Sequence, residues 1–257
     1  MSNPLIQMTE VKKKFGTKQV LDGLNLSINK GDSVVIIGGS GTGKSVTLKC
    51  ILGILKFDSG EIKINQTPIN QITNTQHEKM LKKFGMLFQG SALFDSLKVW
   101  QNVAFGLIYG QMMKQSLAKE IAFHKLSQVG LGYEIGELYP SELSGGMQKR
   151  VALARAIATE PEIIFFDEPT TGLDPIMADI INDLIVNCVE KLGATALSIT
   201  HDISSARKIS DRIAMLHEGK IIWDGKTNEL DTSSNEFVDQ FINGKAQGPI
   251  KMKTKFS

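Results

Sequence analysis

Eight consecutive residues, Gly38-Gly39-Ser40-Gly41-Thr42-Gly43-Lys44-Ser45, limit what this 257-residue chain can become. They fit the pattern G-x-x-x-x-G-K-S, and their flanks decide how it reads. The apolar run Val34-Val35-Ile36-Ile37 comes before, and Val46, Leu48, Ile51, Leu52 and Leu55 follow at helical spacing. Strand, glycine loop and helix in that order predict a phosphate-binding loop. Glycines let successive backbone N–H groups turn inward around a polyphosphate, and the helix start adds a partial positive charge. Lys44 is placed to reach the terminal phosphates, and the Ser45 hydroxyl to ligate Mg²⁺. A glycine-rich turn that merely carries Lys-Ser would not need these flanks. The chain is expected to bind a nucleoside triphosphate.

Composition narrows the setting. A net charge of +2 is too close to balance for a duplex-binding face, so no nucleic-acid partner is expected. Cys50 and Cys188 have neither metal-ligand spacing nor a disulfide framework, and read as free thiols inside helices of a reducing compartment. Met1-Ser2-Asn3-Pro4 lacks a signal pattern, and no apolar run approaches the roughly 18 residues that span a bilayer. A cytoplasmic protein that meets a membrane only through a partner is the expectation.

Upstream of the loop, Leu5 to Val11 and Gln19 to Ile28 read as strands. Phe15-Gly16 lies between them, where the ring can stack on a purine or close a strand end in the core. Asn29-Lys30-Gly31-Asp32 spells a guanine-reading motif, but its position between two strands makes it turn chemistry. Asp58-Ser59-Gly60 reads as a turn before a strand over Glu61 to Asn65. Phe84 to Phe88 is a short buried strand ending at Gln89, where open α/β sheets place ligand chemistry. Gly90 to Trp100 reads as a loop whose Leu93, Phe94, Leu97 and Trp100 form either a folded-back core or a docking surface. Helical spacing covers Leu117 to Val129. Ser144-Gly145-Gly146 then opens another helix and makes a second anion site, or simply a capped helix start.

Two carboxylates carry the remaining chemistry. Ile163-Ile164-Phe165-Phe166 is a fully apolar strand ending in Asp167-Glu168. Adjacent buried acids are costly unless they hold a cation or handle a proton. Asp167 is placed to hold Mg²⁺ opposite Ser45, and Glu168 to orient the attacking water as general base. After a turn at Thr171 to Pro175 and a helix over Ile176 to Leu192, the buried strand Ala194 to Thr200 ends at His201. In this register His201 is a γ-phosphate contact. Arg212 to His217 and Ile221 to Asp224 form a hairpin, and a last helix spans Glu236 to Ile242. The end from Gly244 to Ser257, with Lys245, Lys251, Lys253 and Lys255, reads by composition as flexible and basic.

This ordered set resembles the ATP-binding cassette (ABC) family across nearly the whole chain. Gly38 to Ser45 matches its Walker A loop, Ile163 to Asp167 its Walker B strand, and Glu168 its catalytic glutamate. Gln89 matches the Q-loop, Leu143 to Gln148 the signature, Gly172 to Asp174 the D-loop, and His201 the switch histidine. Three positions depart from the family pattern. Phe15 replaces the usual Tyr over adenine, Met147 precedes Gln148 in the signature, and Val46 removes a hydroxyl that often touches the phosphates. Closer similarity, in Leu87 to Ser96, Trp100 to Phe105, Pro140 to Met147 and Gln240 to Gly244, is to the ATPases of Mla-type (toluene-tolerance) systems. Those move phospholipids between the membranes of Gram-negative bacteria.

The resemblance implies an α/β fold: a RecA-like P-loop NTPase with an antiparallel β subdomain. A helical subdomain, about residues 95–158, is inserted in a domain over 1–243, and residues 244–257 form a tail that reaches toward the opposite subunit. It implies ATP and Mg²⁺, with Lys44, Gln89, Glu168 and His201 catalytic and Ser45, Gln89 and Asp167 at the metal. Phe15, Gly38 to Val46, Ser144 to Gly146 and Asp174 would contact the nucleotide. The two anion sites do not obviously face one ATP within one chain, which calls for a homodimer. Implied partners are an integral-membrane permease of Mla E type, a lipid-binding Mce-domain subunit and a STAS-domain subunit. The place is the cytoplasmic face of the inner membrane. An ABC importer of amino acids or other small solutes, or a soluble cluster-assembly ATPase, stays open as an alternative.

Overall fold

The strands sort into two sheets with opposite grammar. The computed structural model describes residues 3–251. An antiparallel sheet of order β2-β1-β4-β5 contains β1 (Ile6–Phe15), β2 (Lys18–Ile28), β4 (Ser59–Ile64) and β5 (Thr67–Pro68). A six-stranded sheet of order β10-β9-β3-β8-β7-β6 contains β3 (Ser33–Ile37), β6 (Phe84–Leu87), β7 (Ile163–Asp167), β8 (Thr195–Thr200), β9 (Arg212–His217) and β10 (Lys220–Lys226). Its neighbours run parallel except for the β9–β10 hairpin. The helices are α1 (Lys44–Ile51), α2 (Asn74–Leu81), α3 (Val99–Phe105), α4 (Gln115–Gln128), α5 (Tyr133–Gly136), α6 (Gly145–Ile157), α7 (Pro175–Leu192), α8 (Ile203–Ile209) and α9 (Glu236–Ile242).

Period-two alternation in apolar strands builds two cores. Val34 and Ile36 of β3, with Ile163 and Phe165 of β7, face the antiparallel sheet and α1. Val35 and Ile37, with Ile164 and Phe166, face the helical side. Both faces of the parallel sheet are therefore covered, which is why its strands are continuously apolar. Residues of α3, α4 and α6 join the helical-side core without a break, since Val99, Val103 and Leu153 share it with Val35 and Phe166.

Several local expectations need correction. Ser59 and Gly60 are not a turn but the start of β4, paired to β1 across a bulge. Val99 and Trp100 belong to α3 rather than to a loop, and Trp100 is buried while Phe94 is exposed. Helix α1 ends at Ile51, leaving Leu55 beyond it. The end of the chain is not free through Ile250. The Gln240 side chain bonds the Lys245 carbonyl at 3.2 Å and both the N–H (2.6 Å) and C=O (3.1 Å) of Ile250. Lys253 and Lys255 lie outside the described residues. The Asn29–Asp32 segment is a turn, as expected, with Asp32 accepting from the backbone and side chain of Asn29. Cys50 and Cys188 are buried free thiols, and burial pushes Cys50 up to about 11.

Candidate functional site

The Gly38–Ser45 loop leaves the end of β3 and enters α1. Gly38 has φ +154°, and a Cβ there would lie 2.4 Å from the Leu216 carbonyl, so β9 excludes any side chain. Gly43 caps α1 with φ +112°. Thr42 Oγ1 ties the loop to Gly39 O at 2.9 Å, and Lys44 Nζ curls back onto Gly38 O (2.8 Å) and Gly39 O (3.0 Å). Loop and lysine thus hold each other in a ring around a space for an anion.

That space is a cavity of about 800 Å³. Gly39, Ser40, Gly41, Gly43, Lys44, Ser45, Val46, Gln89, Glu168 and His201 all line it, so residues from four strand ends meet there. Gly38 and Thr42 are not on the lining but bond within the loop. Phe15, Ser144, Gly145, Gly146 and Asp174 are not on the lining. Phe15 is 49% exposed at the end of β1, which rules out the core reading, and Lys13 sits over its ring at 5.4 Å. Three lining residues had no motif to announce them: Lys18, Val20 and Phe241. Phe241 arrives from α9, brought in by tertiary packing alone.

Glu168 is the best-held side chain here. It is 8% exposed, and its φ of +49° is a conformation that costs a non-glycine residue energy. Its carboxylate meets His201 Nδ1 at 2.8 Å and accepts from Thr171 Oγ1 at 3.1 Å and Thr200 Oγ1 at 3.4 Å. Lys44 Nζ stands 3.8 Å away. Burial lowers the Lys44 pKa, against the pull of Glu168 and then Asp167. Burial raises the Asp167 carboxyl, and Glu168 raises it further, while the Ser45 hydroxyl bond works the other way. Asp167 Oδ1 is buried without a hydrogen-bond partner. An orphaned carboxylate oxygen beside a serine hydroxyl suits Mg²⁺, which takes one or two protein oxygens plus phosphates and water. No cluster of three or more His, Cys, Asp or Glu fit for a metal occurs among the described residues.

The second candidate anion site is at the start of α6. Ser144 caps that helix, its hydroxyl accepting from Met147 N at 3.4 Å, and Ser144 and Gly145 are exposed. A Cβ on Gly146 would lie 2.5 Å from Met177 Cε, so this glycine permits close packing against α7. Gln148 is half-buried, its side chain tied to Pro140 O (3.0 Å) and Leu143 O (3.4 Å). Asp174 caps α7 by accepting from Ile176 N and Met177 N at 3.1 and 3.0 Å.

Comparison with known proteins agrees with this geometry. The profile described as "ABC transporter" matches residues 21–171. The chain is 41% identical to protein trigalactosyldiacylglycerol 3, chloroplastic, of Arabidopsis thaliana, over 97% of this chain and 76% of that one. It is 38% identical to the intermembrane phospholipid transport system ATP-binding protein MlaF of Haemophilus influenzae, over 98% and 96%. It is also 38% identical to the probable ribonucleotide transport ATP-binding protein mkl of Mycobacterium tuberculosis, over 96% and 68%. Among solved structures, a dimeric post-hydrolysis ATP-binding cassette bound to ADP and Pi matches with TM-score 0.79 and 33% identity, over 86% and 98%.

Proposed function

Since the chain belongs to the ABC transporter family and is an ABC ATPase, we propose that it is the motor subunit of a phospholipid transporter working between two membranes. The supporting observation is the convergence of Lys44, Ser45, Gln89, Glu168 and His201 on one cavity. In this reading Gly38 to Val46 cradle the phosphates of ATP, and Lys44 leaves its loop carbonyls for the terminal phosphates. Ser45, Asp167 and Gln89 would hold Mg²⁺, which would neutralise charge between the phosphate oxygens. Glu168, held by His201 and two threonines, orients the attacking water and takes its proton. His201, with its ring largely exposed to the cavity, contacts the γ-phosphate. Phe15 stacks on the base at the open end.

Ser144 to Gly146 and Asp174 then belong to the site of a second copy, so that two chains enclose ATP between them. Each chain is read as a nucleotide-binding domain over residues 1–243, with residues 95–158 as its helical part and 244–257 as a tail toward the partner. Phe94, tilted against half-buried Phe105 at 4.6 Å, and Tyr109, 4.7 Å from Phe105, form an aromatic strip after Gln89 with Phe94 and Tyr109 exposed. That strip suits an integral-membrane permease, and no helix among the described residues is long and apolar enough to cross a membrane. A Mce-domain and a STAS-domain subunit complete the proposed complex on the cytoplasmic face of the inner membrane.

Glu168→Gln tests the motor. We expect retained ATP binding, ATP-bound dimers in sedimentation, and turnover lower by ~10²–10³, the usual loss for one transition-state contact. Normal turnover in that variant would remove the assigned role. The cargo is tested separately with the permease complex in vesicles. Labelled phospholipid should move on ATP addition, whereas movement of nucleotide alone would favour the cargo named for the mycobacterial relative.

A further inference from the structure

Lys149 and Arg155 of α6 belong to none of the roles above, yet both reach across to the loop that follows β6. Lys149 is 5% exposed, and its ammonium donates to the Gln89 carbonyl. Arg155 donates from its two terminal nitrogens to Ser91 O and Ala92 O, each at 2.6 Å. Ser91 and Ala92 have φ of +60° and +48°, two successive non-glycine residues with left-handed φ. Such a backbone persists only where its surroundings hold it. Burial lowers the pKa of Lys149, and the Asp167 and Glu168 carboxylates oppose that shift. The ammonium is thus held on the Gln89 backbone and lies within electrostatic reach of the paired acids.

Helix α6 begins at the second anion site, whereas Gln89 borders the first. We propose that Lys149 is a positioning residue for ATP hydrolysis. By tying the Gln89 carbonyl to α6, it makes the Gln89 side chain and the Ser144–Gly146 anion site move as one body. Arg155 extends the tie to Ser91 and Ala92 and carries the same displacement toward the aromatic strip. Lys149 does not touch the nucleotide. It acts through Gln89, and the inference rests on the ATPase reading above.

A double-mutant cycle separates this role from plain packing. Lys149→Met keeps the buried stem and removes the donor; Lys149→Gln fills the position without an uncompensated charge. Each is combined with Gln89→Ala, and kcat and KM for ATP are measured beside thermal unfolding. We expect either Lys149 variant to lose roughly tenfold in kcat with KM changed less than about twofold. In the Gln89→Ala background the same substitution should cost nothing further. Losses that multiply across the two sites, a loss confined to KM, or unchanged kcat would overturn the proposal. Failure of both Lys149 variants to fold would also overturn it, assigning the lysine to the core instead. Full turnover in Gln89→Ala would overturn it as well, by removing the residue through which Lys149 acts, whereas absence of turnover in the unmodified protein would instead strike the ATPase reading on which the proposal stands.

Discussion

Asp167 is a half-buried carboxylate whose Oδ1 is buried and unpartnered, with a second acid as its neighbour. The fold alone would be better served by an uncharged side chain there. Asp167→Asn should therefore raise the stability of the nucleotide-free protein by about 0.5–2 kcal/mol while abolishing Mg²⁺-dependent turnover. The sign with pH follows from the raised folded-state carboxyl. Below the ordinary carboxylate range, both states of the natural protein are protonated and the two proteins should unfold alike. As pH rises from the unfolded value toward the higher folded one, the unfolded state ionises first and the natural protein loses ground. Urea unfolding at several pH values checks this, the gap opening above the ordinary carboxylate range and then levelling off. Lys44, Ser45, Asp167, Glu168 and His201 were legible in the sequence because each ends a strand or opens a helix, where local order sets position. Lys18 and Phe241 were not, because they reach the cavity by packing rather than by spacing.

At the scale of elements, local composition misled wherever a distant partner decided the outcome. Asp58-Ser59-Gly60 has turn chemistry, yet Asp58 accepts from Lys14 N at 2.7 Å and Lys13 Nζ at 2.9 Å, drawing the segment onto β1. A Cβ on Gly60 would lie 2.3 Å from Glu10 O, so that glycine serves the bulge in the β1–β4 ladder rather than a turn. Strong periodicity survived better: β3, β7 and the helices α4, α6, α7 and α9 lie where the apolar pattern puts them. The Lys-rich end shows the same contrast, because no pattern announces that one glutamine would collect residues 245–250. Gln240→Leu fills the buried position with a side chain of similar size and removes three side-chain bonds to that segment. We expect protease cleavage after Gly244 to become faster, while unfolding of the domain shifts by at most about 3 kcal/mol, since each of the three bonds contributes ~1 kcal/mol net.

The whole molecule presents an asymmetry that one chain does not resolve. One candidate anion site, the phosphate loop, lines a cavity with Glu168 and His201, while the other candidate, at Ser144 and Gly145, stands exposed off that cavity's lining. If each reaction pocket takes its phosphate loop from one protomer and its α6 start from the other, defects in the two must complement. Lys44→Ala disables the loop of its own chain, and Ser144→Glu sets a negative charge at the helix start where the partner's phosphates would lie. Each protein alone has two spoiled pockets. A mixed dimer gathers both defects into one pocket and leaves the other whole. Equimolar mixing should therefore recover up to about a quarter of the natural ATPase activity from two nearly inactive proteins, half of the dimers being mixed and each having one sound pocket. If both sites served a single chain, every pocket would keep its defect, and the mixture would hydrolyse no faster than its parts.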